Sequence, residues 1–264
     1  MRRWLGWLLV LPLMSTVAAE RVVSLAPSLT EIVVELGAQD ALVGVQDGGE
    51  RPAAVANLPS VGRYGQLDIE RLLSLQPDLL LVWPGSISPA QREQLQRLGL
   101  AQWSGEPHTL AQLADQIELL GERLGRAQRG KQLAGDIRQR LSALQGWYGQ
   151  GTPLRVFYQV WDAPLYTVGG KQIISDALRA CGARNVFENL DLPAPQVSVE
   201  SVIAQDPQVI VVGSDDQRAA WGRWPQLTAV RRHRVITVPD KGLERPSGQM
   251  IGAVERLCAT LHDD

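Results

Sequence analysis

The residues in this sequence that could do chemistry suit recognition better than bond-breaking. Three large aromatics, Tyr64, Trp83 and Trp161, stand beside turn residues in a chain where only 5% of positions are aromatic. Aromatic faces at such positions offer stacking surface to a flat or bulky ligand. Lys241-Gly-Leu-Glu-Arg245 brings two cations and an acid together, a set able to hold an amide or carboxylate by charge-assisted hydrogen bonds. Arg245 could equally brace two parts of the chain through an ion pair. The sequence has no Gly-x-Ser-x-Gly elbow, phosphate loop, His-Glu-x-x-His helix or cysteine cluster. Glu31 with Asp47, or Asp162 with Glu244, could form an acid pair, but nothing in their spacing requires one. His108, His233 and His262 are too scattered to build a metal site. These residues imply a binder with no cofactor or metal of its own, and not an enzyme.

Such loops need strands to end on. Residues 21–25 read as a short β-branched strand, and Ala26-Pro27-Ser28 turns the chain into a helix over 29–36 that Gly37 stops. A strand at 41–45, a helix at 67–75, a strand at 78–83 and a helix at 89–98 follow. Strands alternating with helices imply a parallel sheet, which takes ligands at the carboxyl ends of its strands. Pro27-Ser28, Tyr64, Trp83, Trp161 and residues 241–245 would all lie on such ends.

From Leu110 to about Tyr148 the apolar residues keep helical spacing with no strand between them, broken only by Gly121, Gly125, Gly130, Gly135 and Gly146. The later part predicts one long connecting helix over 125–149. After the Gly-rich stretch 146–153, a strand at 154–160, helices at 171–180 and 199–205, and a strand at 209–212 resume the alternation. The predicted fold is α/β: two Rossmann-like lobes with parallel sheets, 20–124 and 150–264, joined by that single helix. A single stiff helix between lobes predicts limited closure around a ligand.

An internal repeat supports two similar lobes. Residues 67–82 align without gaps on 197–212, each with a helix-capping residue (Asp68, Ser198), a glutamate two positions on (Glu70, Glu200), a proline stop (Pro77, Pro207) and an apolar strand. Each glutamate would complement the N-terminus of its helix.

Composition sets the surroundings. Arg2 and Arg3 precede an apolar run ending in Val17-Ala18-Ala19, which reads as a signal peptide over 1–19, most simply for ordinary secretion to the periplasm. Removing those two arginines leaves 24 basic residues against 28 acidic ones, so nothing suggests nucleic-acid binding. The remaining length, about 245 residues, allows two cores of ordinary size. Cys181 and Cys258 are the only cysteines, and export favours a disulfide between them over two buried thiols.

The chain resembles the helical-backbone class of periplasmic solute-binding proteins, particularly its vitamin B12-binding members. The resemblance rests on Val22-Val-Ser-Leu-Ala-Pro-Ser-Leu-Thr-Glu31, Val61-Gly-Arg-Tyr64, the Glu70 helix, Pro193-Ala-Pro-Gln-Val-Ser198, Glu244-Arg245 and both cysteines. It implies a monomer that binds a corrinoid and delivers it to the permease of an ABC importer. It implies that Glu70 and Glu200 dock on arginines of that permease, and that Gly48 with Lys241, Gly242, Leu243, Glu244 and Arg245 contacts the ligand. Two departures matter: glycine stands at Gly48 and Gly242 where cobalamin-binding relatives carry tyrosine and tryptophan. Relatives of the same fold bind haem through a tyrosine near the position of Tyr64, or ferric siderophores through several arginines.

Overall fold

The computed structural model describes residues 20–263, so the predicted signal segment 1–19 lies outside the described residues. The first lobe runs β1 (Val22–Ser24), α1 (Pro27–Glu35), β2 (Leu42–Asp47), β3 (Ser60–Arg63), β4 (Gln66–Leu67), α2 (Ile69–Ser74), β5 (Leu79–Val82), α3 (Pro89–Arg97) and β6 (Ala101–Ser104). Its six strands are ordered β4-β3-β2-β1-β5-β6, parallel except for the β3/β4 hairpin. Two long helices follow, α4 (Leu110–Arg123) and α5 (Ala127–Tyr148), the latter beginning and ending near the predicted connecting helix.

The second lobe runs β7 (Leu154–Asp162), β8 (Leu165–Thr167), α6 (Ile173–Ala180), β9 (Ala183–Asn185), α7 (Val199–Gln205), β10 (Val209–Val212), α8 (Asp215–Trp221), α9 (Thr228–Arg231), β11 (Val235–Thr237) and α10 (Met250–His262). The long strand β7 pairs with β9 along its first half and with β8 along its second, and β10 and β11 complete the sheet on its other side. The α/β class and two-lobed architecture match the sequence reading. Short strands β3, β4, β6, β8, β9 and β11 were not anticipated, nor was any element after residue 212.

The sequence repeat is carried into the backbone. Asp68 and Ser198 cap α2 and α7 by accepting from the amides of Arg71 and Ser201. Each helix ends on a left-handed residue before its proline, Gln76 (φ 46°) and Asp206 (φ 39°). Arginines then cover the loose carbonyls: Arg21 donates to Leu75 O at 2.8 Å in the first lobe, and Arg155 donates to Asp206 O in the second. Strands β5 and β10 that follow are buried throughout.

Two separate cores do not result. Alternation along the strands sends Val23, Leu80 and Val82 to an outer cluster in one lobe, and Phe157, Ile210 and Val212 to another in the second. The opposite faces, carrying Val22, Leu79 and Leu81 or Val156, Tyr158, Val209 and Val211, join one continuous core. Helices α1, α4, α5, α6 and α10 fill it, so the lobes are welded along their backs. Helices α4 and α5 meet backbone to backbone: a Cβ on Gly121 would lie 2.9 Å from the Gly130 Cα. Gly125, at φ +69°, makes the turn between them.

Cys181 caps α6 and is disulfide-bonded to Cys258 of α10, with Cα atoms 4.7 Å apart, as the sequence favours. Both cysteines are fully buried in the shared core.

Candidate functional site

Loops at the carboxyl ends of β1, β2, β3, β5 and β11 converge on a cleft of about 710 Å³ between the lobes. From the first lobe come Pro27 and Ser28 after β1, Gly48 and Glu50 after β2, Tyr64 at the β3/β4 turn and Trp83 after β5. From the second come Lys241, Gly242, Glu244 and Arg245, on a 3-10 turn beyond β11, with Pro246 and Gln249. Asp240 fixes that turn, accepting from the Gly242 amide at 2.7 Å and from Arg256. The amide, foremost, and Arg256 hold the Asp240 carboxyl below the usual carboxylate range.

The two walls differ in kind. The first presents aromatic faces, Tyr64 exposed (74%) and Trp83 half-buried, while the second presents charges and no aromatic ring. Among the lining residues the cations of Lys241 and Arg245 are matched in number by the carboxylates of Glu50 and Glu244. Glu244 stands beside the Tyr158 hydroxyl, and burial, with help from that carboxylate, keeps the hydroxyl protonated far above its ordinary range.

Most of the sequence-predicted residues come together here. Gly48, Tyr64, Trp83, Lys241, Gly242, Glu244 and Arg245 all line the cleft. Leu243 does not: its side chain is fully buried in the shared core, where it anchors the turn. Trp161 lies outside the cleft lining, 58% exposed near the end of β7 and opposite Tyr166 of β8. Glycine at position 48 has a local cause, since a Cβ there would lie 2.4 Å from the Pro27 ring. Gly242 is also confined, 3.1 Å from Asp240 Oδ1 and 3.3 Å from the Ala253 Cβ by the same construction.

Next to the cleft lies a polar network that sequence spacing conceals. Glu31 and Glu35, one turn apart on α1, reach the segment leading into α10. Glu31 accepts from Arg245 Nη1 at 2.5 Å, Ser247 Oγ at 3.0 Å and Gln249 Nε2 at 2.6 Å. Glu35 accepts from the amides of Gly248 (2.7 Å) and Gln249 (3.1 Å), capping from the opposite lobe a helix that has no side-chain cap of its own. Burial raises the Glu35 carboxyl above its ordinary range, and the two amides oppose that rise. Arg245 thus lines the cleft and braces the lobes at once. The one available signal was a pair of acids at helical spacing on an otherwise apolar helix.

Glu31 and Asp47 have different partners, since Asp47 is held by Ser60 (2.5 Å) and Arg51, which depress its carboxyl. Among the described residues no group of three His, Cys, Asp or Glu side chains could hold a metal ion. Glu70 and Glu200 lie away from the cleft lining, exposed in the first turns of α2 and α7. Glu200 is held below the usual carboxylate range by its own amide and the Ser198 hydroxyl. No helix among the described residues is long and apolar enough to cross a membrane.

Comparison with known proteins gives the same picture. The vitamin B12-binding protein of Vibrio cholerae is 34% identical over 92% of this chain and 89% of its own length. The crystal structure of the periplasmic vitamin B12 binding protein of Vibrio cholerae superposes with a TM-score of 0.84 at 34% identity, covering 92% of this chain and 96% of that one. A periplasmic heme binding protein of Vibrio cholerae shares the fold, with a TM-score of 0.78 at 22% identity over 93% of this chain and all of that one. A family model described as periplasmic binding protein matches residues 22–241. On this match and this likeness, the chain belongs to the periplasmic binding protein family, a class of binders rather than enzymes.

Proposed function

We propose that this protein, as a periplasmic monomer, captures cobalamin or a related corrinoid in the inter-lobe cleft and delivers it to the permease of an ABC importer. The observation that carries the reading is an aromatic wall in a cleft whose lining charges balance, Lys241 and Arg245 against Glu50 and Glu244. A corrinoid offers a flat macrocycle for Tyr64 and Trp83 and a rim of neutral amides for Lys241, Glu244 and Arg245. A dianionic porphyrin or an anionic ferric chelate would be served better by surplus cations. The curated relatives named for vitamin B12 support the same choice. Residues 20–124 and 150–264 act as lobes on the connecting segment 125–149. The signal segment, the family and the buried disulfide all support a periplasmic location.

Titration calorimetry with cyanocobalamin and cobinamide tests the reading. One-to-one binding of at least one corrinoid, recovered unchanged, is the expected result. Trp83→Ala should weaken it by about 2 kcal/mol, roughly 30-fold, as loss of a central aromatic contact does. Absence of heat with either corrinoid would refute the proposal.

A second reading rests on the exposure of Tyr64 at the rim. If the ligand were haem, haemin would give a spectral change that Tyr64→Ala abolishes, and corrinoids would not compete.

The continuous core and the α1 network support limited closure. X-ray scattering curves of free and ligand-bound protein should nearly superpose, and a change in radius of gyration typical of a hinged clamshell would contradict this.

A further inference from the structure

We infer that Glu31 is the specificity-determining positioning residue of the cleft: by pairing with Arg245 across the lobes, it makes the site prefer a neutral amide-bearing ligand to its carboxylate analogue. This inference rests on the corrinoid reading above and concerns a residue that is absent from the cleft lining.

Glu31 is the more buried partner of the pair, its side chain 8% exposed against 32% for Arg245. All three of its donors come from the other lobe, so the carboxylate is placed by α1 and saturated by the segment before α10. Arg245 is pinned in turn. Its Nη1 bonds Glu31 and approaches Glu50 O at 3.4 Å, and its Nη2 lies against Gly49, where a Cβ would be only 2.5 Å away. Gly49 sits at φ +95°, a conformation that glycine adopts freely.

A guanidinium has five N–H groups in a fixed fork, and one carboxylate uses only part of that fork. Nη2 and Nε have no hydrogen-bond partner among the described residues, which leaves donors for a carbonyl oxygen of the ligand. The positive charge is another matter, since Glu31 has already neutralised it. With Glu50 and Glu244 also at the cleft, a ligand carboxylate would meet at least as much negative as positive charge, whereas an amide carries no charge to repel. Removing the Glu31 charge would leave Arg245 without its ion-pair partner in a partly desolvated site, where a ligand anion becomes its best partner.

The test is paired calorimetry with cyanocobalamin and a monocarboxylate made from it by hydrolysis of one propionamide. The parent protein should bind the amide more tightly. Glu31→Gln, which keeps the shape, should shift the amide-to-carboxylate affinity ratio by roughly tenfold or more toward the carboxylate. Arg245→Gln, a second variant should the first fail to fold, should shift the ratio further toward the amide. A purely structural role for Glu31 would weaken both ligands alike and leave the ratio in place, which would overturn the inference. Shifts in the same direction for both variants would also overturn it. If the parent protein bound neither corrinoid, the functional reading itself would fall, an outcome distinct from an unmoved ratio.

Discussion

Reversing the charges of Glu70 and Glu200 together, as Glu70→Lys and Glu200→Lys, should leave ligand affinity within about twofold of the parent while uptake falls by roughly 30-fold or more. Both acids are exposed, occupy matching places in the repeat and lie outside the cleft lining, so neither change touches the proposed binding surface. If each docks on a permease cation, reversal turns an attraction into a like-charge contact. Disrupting one close interfacial charge pair costs about 2–5 kcal/mol. Each helix would lose only a small N-terminal charge effect, about 0.3–1 kcal/mol, so the fold should survive. Calorimetry reads affinity, and uptake of labelled corrinoid into proteoliposomes holding the importer reads delivery. Unchanged uptake would refute docking through these acids. The depressed Glu200 carboxyl adds a pH expectation. Because its proton leaves below the usual carboxylate range, the Glu200 charge persists as the medium acidifies through that range, and the contact made by Glu200 should persist with it.

The largest stability effect expected is loss of the disulfide. Cys181 and Cys258 lie 77 residues apart in sequence, and the closed loop contains β9, α7, β10, α8, α9, β11 and the start of α10. Closing a loop of that length restricts the unfolded chain by up to about 4 kcal/mol in the chain-entropy account. In the native state the bond ties the end of α6 to α10 inside the core that both lobes share. The Cys181→Ala/Cys258→Ala variant should therefore unfold in urea at a midpoint lower by about 1 M or more, as one cooperative transition. Alanine avoids burying hydroxyl groups at two positions with no solvent exposure. A midpoint equal to that of the parent would show that the bond contributes nothing, and a separate early transition would show that the shared core does not couple the lobes.

The sequence alone determined the parts whose causes are local. Helices α2 and α7, their proline stops at Pro77 and Pro207, and strands β5 and β10 were legible because caps, proline and apolar runs act over a few neighbouring residues. The same holds for α5, whose apolar spacing is continuous over six turns of chain. Strands such as Ala101–Ser104 and Ala183–Asn185 were not legible, because they are three or four residues of mixed polarity that are strands only through the neighbours they pair with. Most cleft residues could be found, since the carboxyl ends of parallel strands follow from the alternation of elements. Leu243 and Trp161 show the limit: a place at a strand end or in a cleft loop does not decide which way a side chain faces.

Only the tertiary structure decided the union of the two cores and the pairing of Glu31 with Arg245, 214 residues apart. A buried acid on an apolar helix needs a partner, but burial does not say which of the chain's many cations will supply it. That choice is made by the packing of one lobe on the other, and it sets the charge the cleft presents to its ligand.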